Sequence, residues 1–328
     1  MNIYDIAKEA GVSISTVSRV LNNKPNVKPD TRKKIEHILE KHNYAPSVIA
    51  RGLVSKTLDT VGILTIDIRV PHYAETAYSL ERELYKLGYN AILCNTGGKA
   101  ENGIEYITTL IQTGVRGVIL IGSVFQNKYI ETSLINSFSS IPFIAMNSQL
   151  SADNIYSVTF NQERGVTLCL DHLSEKGHTD ILYVQDAETF SGANKASAFI
   201  KLIEERGVTN AENRLFKTNR GIPGGRDVID RIAESKRNFS AIIFGDDASA
   251  IGGMQRLQEL HYKIPDDIAI IGWNNTLSTL CVPSLTTVDN QIEMMGVISV
   301  KLLENVLAGG KVSRNIAIDS SLIVRDST

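Results

Sequence analysis

The chain has 328 residues, 43% of them apolar, which is room for two or three domains with sizeable cores. Its net charge of −2 argues, taken whole, against a nucleic-acid binder. The distribution reverses that: residues 1–56 carry ten Lys or Arg against five Asp or Glu, a net of +5, and the remainder nets −7. Only the head of such a chain is expected to meet phosphate. No apolar run of about 18 residues is present and MNIYDIAKEA lacks the apolar stretch of a signal peptide, so a cytoplasmic location without a membrane span is expected. Cys94, Cys169 and Cys281 are odd in number and far apart, which suits buried thiols rather than a disulfide frame or a metal site.

In chain order, Ile3, Ile6, Ala7 and Ala10 fall on one face of a short helix that Gly11 is placed to end. Ser13 can cap a second helix that buries Val17, Val20 and Leu21 and leaves Ile14, Ser15, Ser18 and Arg19 on its other side. Pro29 suits the first position of a third, basic helix whose apolar face is Ile35, Ile38 and Leu39. Three short helices around one small core, two of them joined by a glycine turn, make a helix-turn-helix.

The string AKEAGVSISTVSRVLN, with NYAPSVIARGL downstream, closely resembles the LacI/GalR family of bacterial transcription regulators, and the resemblance runs over almost the whole chain. It implies a head at residues 1–46, a hinge helix and linker at 47–57 and an effector-binding, dimerising body at 58–328. By position, Ile14, Ser15 and Arg19 should meet base edges in the major groove; Arg19 can make two hydrogen bonds to guanine, and Ile14 favours a thymine methyl. Tyr4, Thr16, Asn22 and Thr31 match phosphate-contacting positions, with Thr16 and Asn22 also suited to capping or turn hydrogen bonds. In the hinge, Leu53 matches a leucine that wedges into the minor groove, with Ala50 beside it. Ser47 stands where Asn is usual, and Gly52 weakens a formed helix by roughly 1 kcal/mol relative to Ala, so an easily melted hinge is expected.

From Val61 short apolar runs (VGILTID, NAILCNT, VRGVILIG, PFIAMNS) alternate with helical stretches, and after IYSVTF the scheme repeats through DILYVQD, RLFKT, SAIIFGD and IAIIGWN. Each half is a β-α-β-α run, the pattern of a parallel sheet covered on both faces. Two such lobes imply a cleft at the carboxyl ends of the strands. A dinucleotide-binding enzyme is excluded because IRVPHYAE, after the first run, has no glycine, and the glycines at 221–225 lack G-x-G-x-x-G spacing. No catalytic triad can be assembled from the six scattered histidines, and neighbouring Asp246 and Asp247 make a poor acid–base pair because adjacent strand-end side chains point apart.

This body resembles the periplasmic-binding-protein-like effector domain of the same family, with lobe 1 at about 58–157 and 285–317 and lobe 2 at about 158–284 and 318–328. The resemblance places His72 and Tyr73 after the first strand, Ser123 after the third and Asn147 after the fourth, all facing an effector. It adds Lys195 where the family usually has Arg, Arg220, Asp246 for the usual Asn, Trp273, and Asn274 for the usual Asp. Neutral Asn147 and Asn274 beside cationic Lys195 and Arg220 suggest a sugar derivative with an acidic group, against which Asp246 could pair internally with Lys195. The reading is a cofactor-free repressor, not an enzyme: a homodimer on a near-palindromic double-stranded operator, controlled by a small molecule. The alternatives are a solute-binding protein of the same body fold, or a regulator answering to a protein corepressor.

Overall fold

Residues 3–21, 24–42 and 59–328 are described by a computed structural model. The chain falls into two units, 1–58 and 59–328. In the first, α1 (Ile3–Ala10), α2 (Ile14–Leu21) and α3 (Pro29–Lys41) enclose Ile6, Ala7, Ala10, Val17, Val20, Ile35 and Ile38. Ile3, Leu21 and Leu39, expected in that core, are only partly buried at its margin. Gly11 takes φ +67°, which lets the Val12 amide turn back to the Ala7 carbonyl at 3.0 Å. Glu9 of α1 accepts hydrogen bonds from Lys41 and His42 at the far end of α3, both at 2.9 Å.

The second unit begins β1 (Thr60–Thr65), α4 (Pro71–Lys86), β2 (Asn90–Asn95), α5 (Ala100–Gln112), β3 (Gly117–Ile121), α6 (Lys128–Ser137), β4 (Phe143–Met146) and β5 (Ile155–Asn161). It continues with α7 (Gln162–Glu175), β6 (Ile181–Gln185), α8 (Phe190–Glu205), β7 (Leu215–Lys217), α9 (Ile222–Glu234), β8 (Ala241–Phe244), α10 (Asp247–Glu259), β9 (Ala269–Trp273) and β10 (Thr286–Asp289). α11 (Ile292–Leu307), β11 (Asn315–Asp319) and β12 (Ser321–Ile323) complete it. The strands form two six-stranded sheets, β11-β5-β4-β3-β1-β2 and β12-β10-β9-β8-β6-β7. Every pairing is parallel except β10 with β12. Alternate residues of one strand feed cores on opposite faces: Val118 and Leu120 of β3 enter one, Ile119 and Ile121 the other. Both faces of the central strands β1, β3, β4, β8 and β9 are therefore buried, which is why they read as unbroken apolar runs, whereas the edge strands β2 and β11 are largely exposed.

Because β1 lies between β2 and β3, and β6 between β7 and β8, each sheet reverses its winding once, and crevices open at those reversals. The chain crosses between the sheets after β5, after β10 and after β11. β10 pairs with β9, so the chain leaves the second sheet after Asp289 rather than at 285, and β5 extends the first sheet to Asn161. The three crossings are laced together. Asn161 Nδ2 donates to Asp319 Oδ1 (3.1 Å), Gln291 Nε2 to the Asp319 carbonyl (2.9 Å), and Ser320 Oγ to Asn290 Oδ1 (3.2 Å).

The glycines of α9 serve packing. A Cβ at Gly225 would lie 1.9 Å from the Ser249 carbonyl oxygen, and one at Gly252 of α10 would lie 2.1 Å from the Ile222 oxygen. Cys94 and Cys169 are buried free thiols, while Cys281 is only half-buried. No helix among the described residues is long and apolar enough to cross a membrane.

Candidate functional site

On the head, burial of Val17 and Val20 turns the opposite side of α2 outward. Ile14 (39% exposed), Ser15 and Arg19 share that side, an apolar patch next to a cation. Tyr4 is 66% exposed, and Thr31, in the first turn of α3, is half-buried. Ser13 caps α2 through the Thr16 amide (3.3 Å), and its hydroxyl also contacts the Ser15 and Thr16 hydroxyls at 2.8 and 2.9 Å. The Thr16 hydroxyl is thus already engaged within the cap. Asn22, Ala50 and Leu53, with the whole hinge at 47–57, lie outside the described residues.

In the body, a narrow cleft with a cavity volume of about 40 Å³ lies where the winding reversals of the two sheets face each other. Its walls come from the segments after β1, β3 and β4 of one sheet and after β6, β7, β8, β9 and β10 of the other. Seven of the nine residues expected there line it: His72, Tyr73, Ser123, Asn147, Lys195, Arg220 and Asn274. His72 and Tyr73 lie in the first turn of α4, which Pro71 opens, and not in a loop. Asn147 follows β4 at φ 56°, and its Oδ1 accepts from Gln162 Nε2 at 3.2 Å.

Two expectations are corrected. Trp273, 1% exposed, does not line the cleft; it packs into the second-lobe core. Its size and lack of charge favour burial there, and it backs Lys195, whose ammonium lies 4.6 Å from the ring centroid. Asp246 is the N-cap of α10: it accepts the Ala248 amide and Asn274 Nδ2, both at 2.9 Å. It forms no ion pair with Lys195 among the described residues; Lys195 Nζ donates instead to the Gly245 carbonyl at 2.7 Å. Asn274 is occupied at both ends, since its Oδ1 accepts from Asn290 Nδ2 at 2.9 Å. A continuous chain of hydrogen bonds therefore runs from the α10 cap through Asn274 and Asn290 to Ser320 at the crossings.

Lys195 is 7% exposed. Burial pushes it down to about 8, while Asp186 and Asp246 hold it up and Arg220 presses it down. Burial, Arg220 and Lys195 together drive His72 down to about 3, so it is neutral, and its Nδ1 is buried without a partner among the described residues. Arg220 is exposed as a residue; desolvation of its guanidinium works against the charge, but Tyr73, Asp186 and Asp246 outweigh it, and its guanidinium carbon is 6.0 Å from the Tyr73 ring centroid.

Asp186 was missed at the sequence level. It is buried directly after β6 and accepts the Ser249 hydroxyl at 2.8 Å. The rule that strand carboxyl ends face the cleft could have found it, since it ends the run DILYVQD. Thr189, Ser191 and Gly192, at the start of α8, also line the cleft. Asp247, fully buried, accepts the Thr276 and Leu277 amides (2.8 and 3.2 Å) and the Thr287 hydroxyl (2.6 Å), holding the loop after β9 against β10. Burial raises it to about 6.

Comparison with known proteins accords with this geometry. Residues 2–47 match the bacterial regulatory proteins of the lacI family, and residues 170–328 match the periplasmic binding protein-like domain. An HTH-type transcriptional regulator of Lachnoclostridium phytofermentans is 32% identical over 100% of this chain and 99% of its own. Catabolite control protein A of Priestia megaterium is 31% identical over 98% of this chain and 96% of its own. The fold is that of the lac repressor dimer solved with operator and the anti-inducer ONPF: TM-score 0.89 at 22% identity, covering 100% of this chain and 98% of that one. A DNA-reading head, a two-sheet body and relatives that are regulators rather than enzymes lead to one conclusion: the chain belongs to the LacI/GalR family of bacterial transcription regulators.

Proposed function

We propose that the chain is a cytoplasmic repressor that acts as a homodimer and sets two heads on the half-sites of a near-palindromic operator. Two-fold symmetry in the protein requires two-fold symmetry in the site. Ile14, Ser15 and Arg19 read base edges; Tyr4, Thr16, Asn22 and Thr31 fix the register on phosphates; Ala50 and Leu53 enter the minor groove between the half-sites. A sugar or sugar derivative occupies the cleft and shifts DNA affinity by as much as it prefers one arrangement of the lobes over the other. The observation that carries this reading is the outward row Ile14, Ser15 and Arg19 on a helix anchored from behind by Val17 and Val20.

The test is selection of the full-length chain on a library of random duplexes, followed by gel shift on the selected sequence. A palindromic consensus whose half-sites cannot be respaced without loss of binding is expected. Binding that genomic competitor DNA abolishes without sequence preference overturns it.

A further inference from the structure

We propose that the molecule taken up by the cleft carries an oxyanion, a carboxylate or a phosphate, held between Lys195, Arg220 and the first turn of α8. This rests on the cleft being the effector site, as proposed above. The inference comes from what each wall still has to offer. Most of the carboxylate and amide acceptors around the cleft are committed, with the second Asp186 oxygen and His72 Nδ1 the exceptions. Asp246 spends its oxygens on Ala248 and Asn274, and Asp186 gives one to Ser249. Asn147 Oδ1 is taken by Gln162, and Asn274 Oδ1 by Asn290. Neither aspartate lines the cavity.

The donors keep more in reserve. Lys195 uses one N–H, on the Gly245 carbonyl, and has two more. Arg220 faces the cavity with a five-donor guanidinium that engages the Tyr73 hydroxyl and makes no ion pair among the described residues, so most of its donors remain. Ser191 and Gly192 line the cleft in the first turn of a sixteen-residue helix, where the Thr189 hydroxyl caps the Gly192 amide at 3.3 Å and the helix dipole is positive. A neutral polyol fits this wall poorly. Each of its hydroxyls donates as well as accepts, and few acceptors remain to receive those donors. An oxyanion only accepts, and it faces two cations, one of them nine-tenths buried, whose charge Asp186 and Asp246 offset from behind the wall without lining the cavity.

The experiment uses the full-length chain, Trp273 fluorescence and thermal melting. The probes are glucose, gluconate, glucose 6-phosphate, inorganic phosphate and sulfate, with potassium chloride matched for ionic strength. At least one acid is expected to bind about tenfold or more tighter than glucose, the margin of a charge-assisted over a neutral hydrogen bond. The gluconate and glucose 6-phosphate arms separate carboxylate from phosphate. Lys195→Met and Arg220→Gln should each remove that preference, with far-UV circular dichroism confirming the fold. Arg220 lies in an open loop, so its variant tests the inference even if Lys195→Met does not fold. Equal binding of glucose and the acids, no shift with any oxyanion beyond chloride, or an acid preference that survives Arg220→Gln overturns the inference. Neither readout needs DNA. Acid binding that leaves operator affinity unchanged therefore supports the inference and removes only the effector role.

Discussion

Lys195 places its ammonium 4.6 Å from the ring centroid of Trp273, the only tryptophan of the chain. A cation over an indole face is attractive, and its loss changes the field on the fluorophore. With Lys195 held near 8 by burial, Trp273 emission is expected to titrate between pH 7 and 9.5, and Lys195→Met should flatten the curve. Stability carries the same signature. Between about 8 and the ordinary value of 10.5 the unfolded chain holds more protons than the folded one, so stability contributed by this group rises with pH across that window. Matching emission and melting profiles for wild type and Lys195→Met would refute the assignment.

Asp247 is expected to matter for stability rather than ligand binding. Asp247→Ala strands the Thr276 and Leu277 amides and the Thr287 hydroxyl in a buried site. At about 1–3 kcal/mol for each unsatisfied group, a loss of about 3 kcal/mol or more should appear in urea denaturation of the ligand-free chain. A change under about 1 kcal/mol would mean that these groups find other partners.

Gly225→Ala and Gly252→Ala each drive a methyl into a carbonyl oxygen of the facing helix. Overpacking costs about 1–3 kcal/mol where side chains can yield, and backbone yields less. Each variant should therefore lose about 3 kcal/mol or more by denaturant titration, and wild-type stability would disprove the close α9–α10 approach.

On the head, Arg19→Ala should cost about 1–3 kcal/mol on the selected operator and relax preference at one base pair. Ile14→Gln should change preference at its own position, where the apolar side chain favours a thymine methyl. Thr31→Ala should weaken binding about equally on every sequence and, because its hydroxyl is uncharged, leave the salt dependence unchanged. Gel shifts on single-base operator variants separate the three, and unchanged preference with Ile14→Gln would remove that residue from base reading.

The head and the strand order of elements were legible because both are local. Val17, Val20, Ile35 and Ile38 repeat at helical spacing, and runs such as VRGVILIG stand between turn residues. What the sequence left ambiguous depends on pairing. Nothing in TTVD states that it joins β9 rather than the first sheet. Trp273 and Asp246 occupy the expected positions in the chain, but the direction each side chain takes is set by a core and a helix cap formed by distant residues. Asp186 was written plainly at a strand end and was passed over because it belonged to no expected pattern.

The final strands have a consequence for the order in which the molecule is made. β11 is the edge of one sheet and β12 the edge of the other, with Ser320 alone between them. On the ribosome the three-helix core is complete once residue 42 has emerged, while both sheets wait for residues 315–323. Synthesis therefore delivers the DNA reader hundreds of residues before the device that governs it. A product arrested before residue 315 would leave both sheets unfinished behind an intact head.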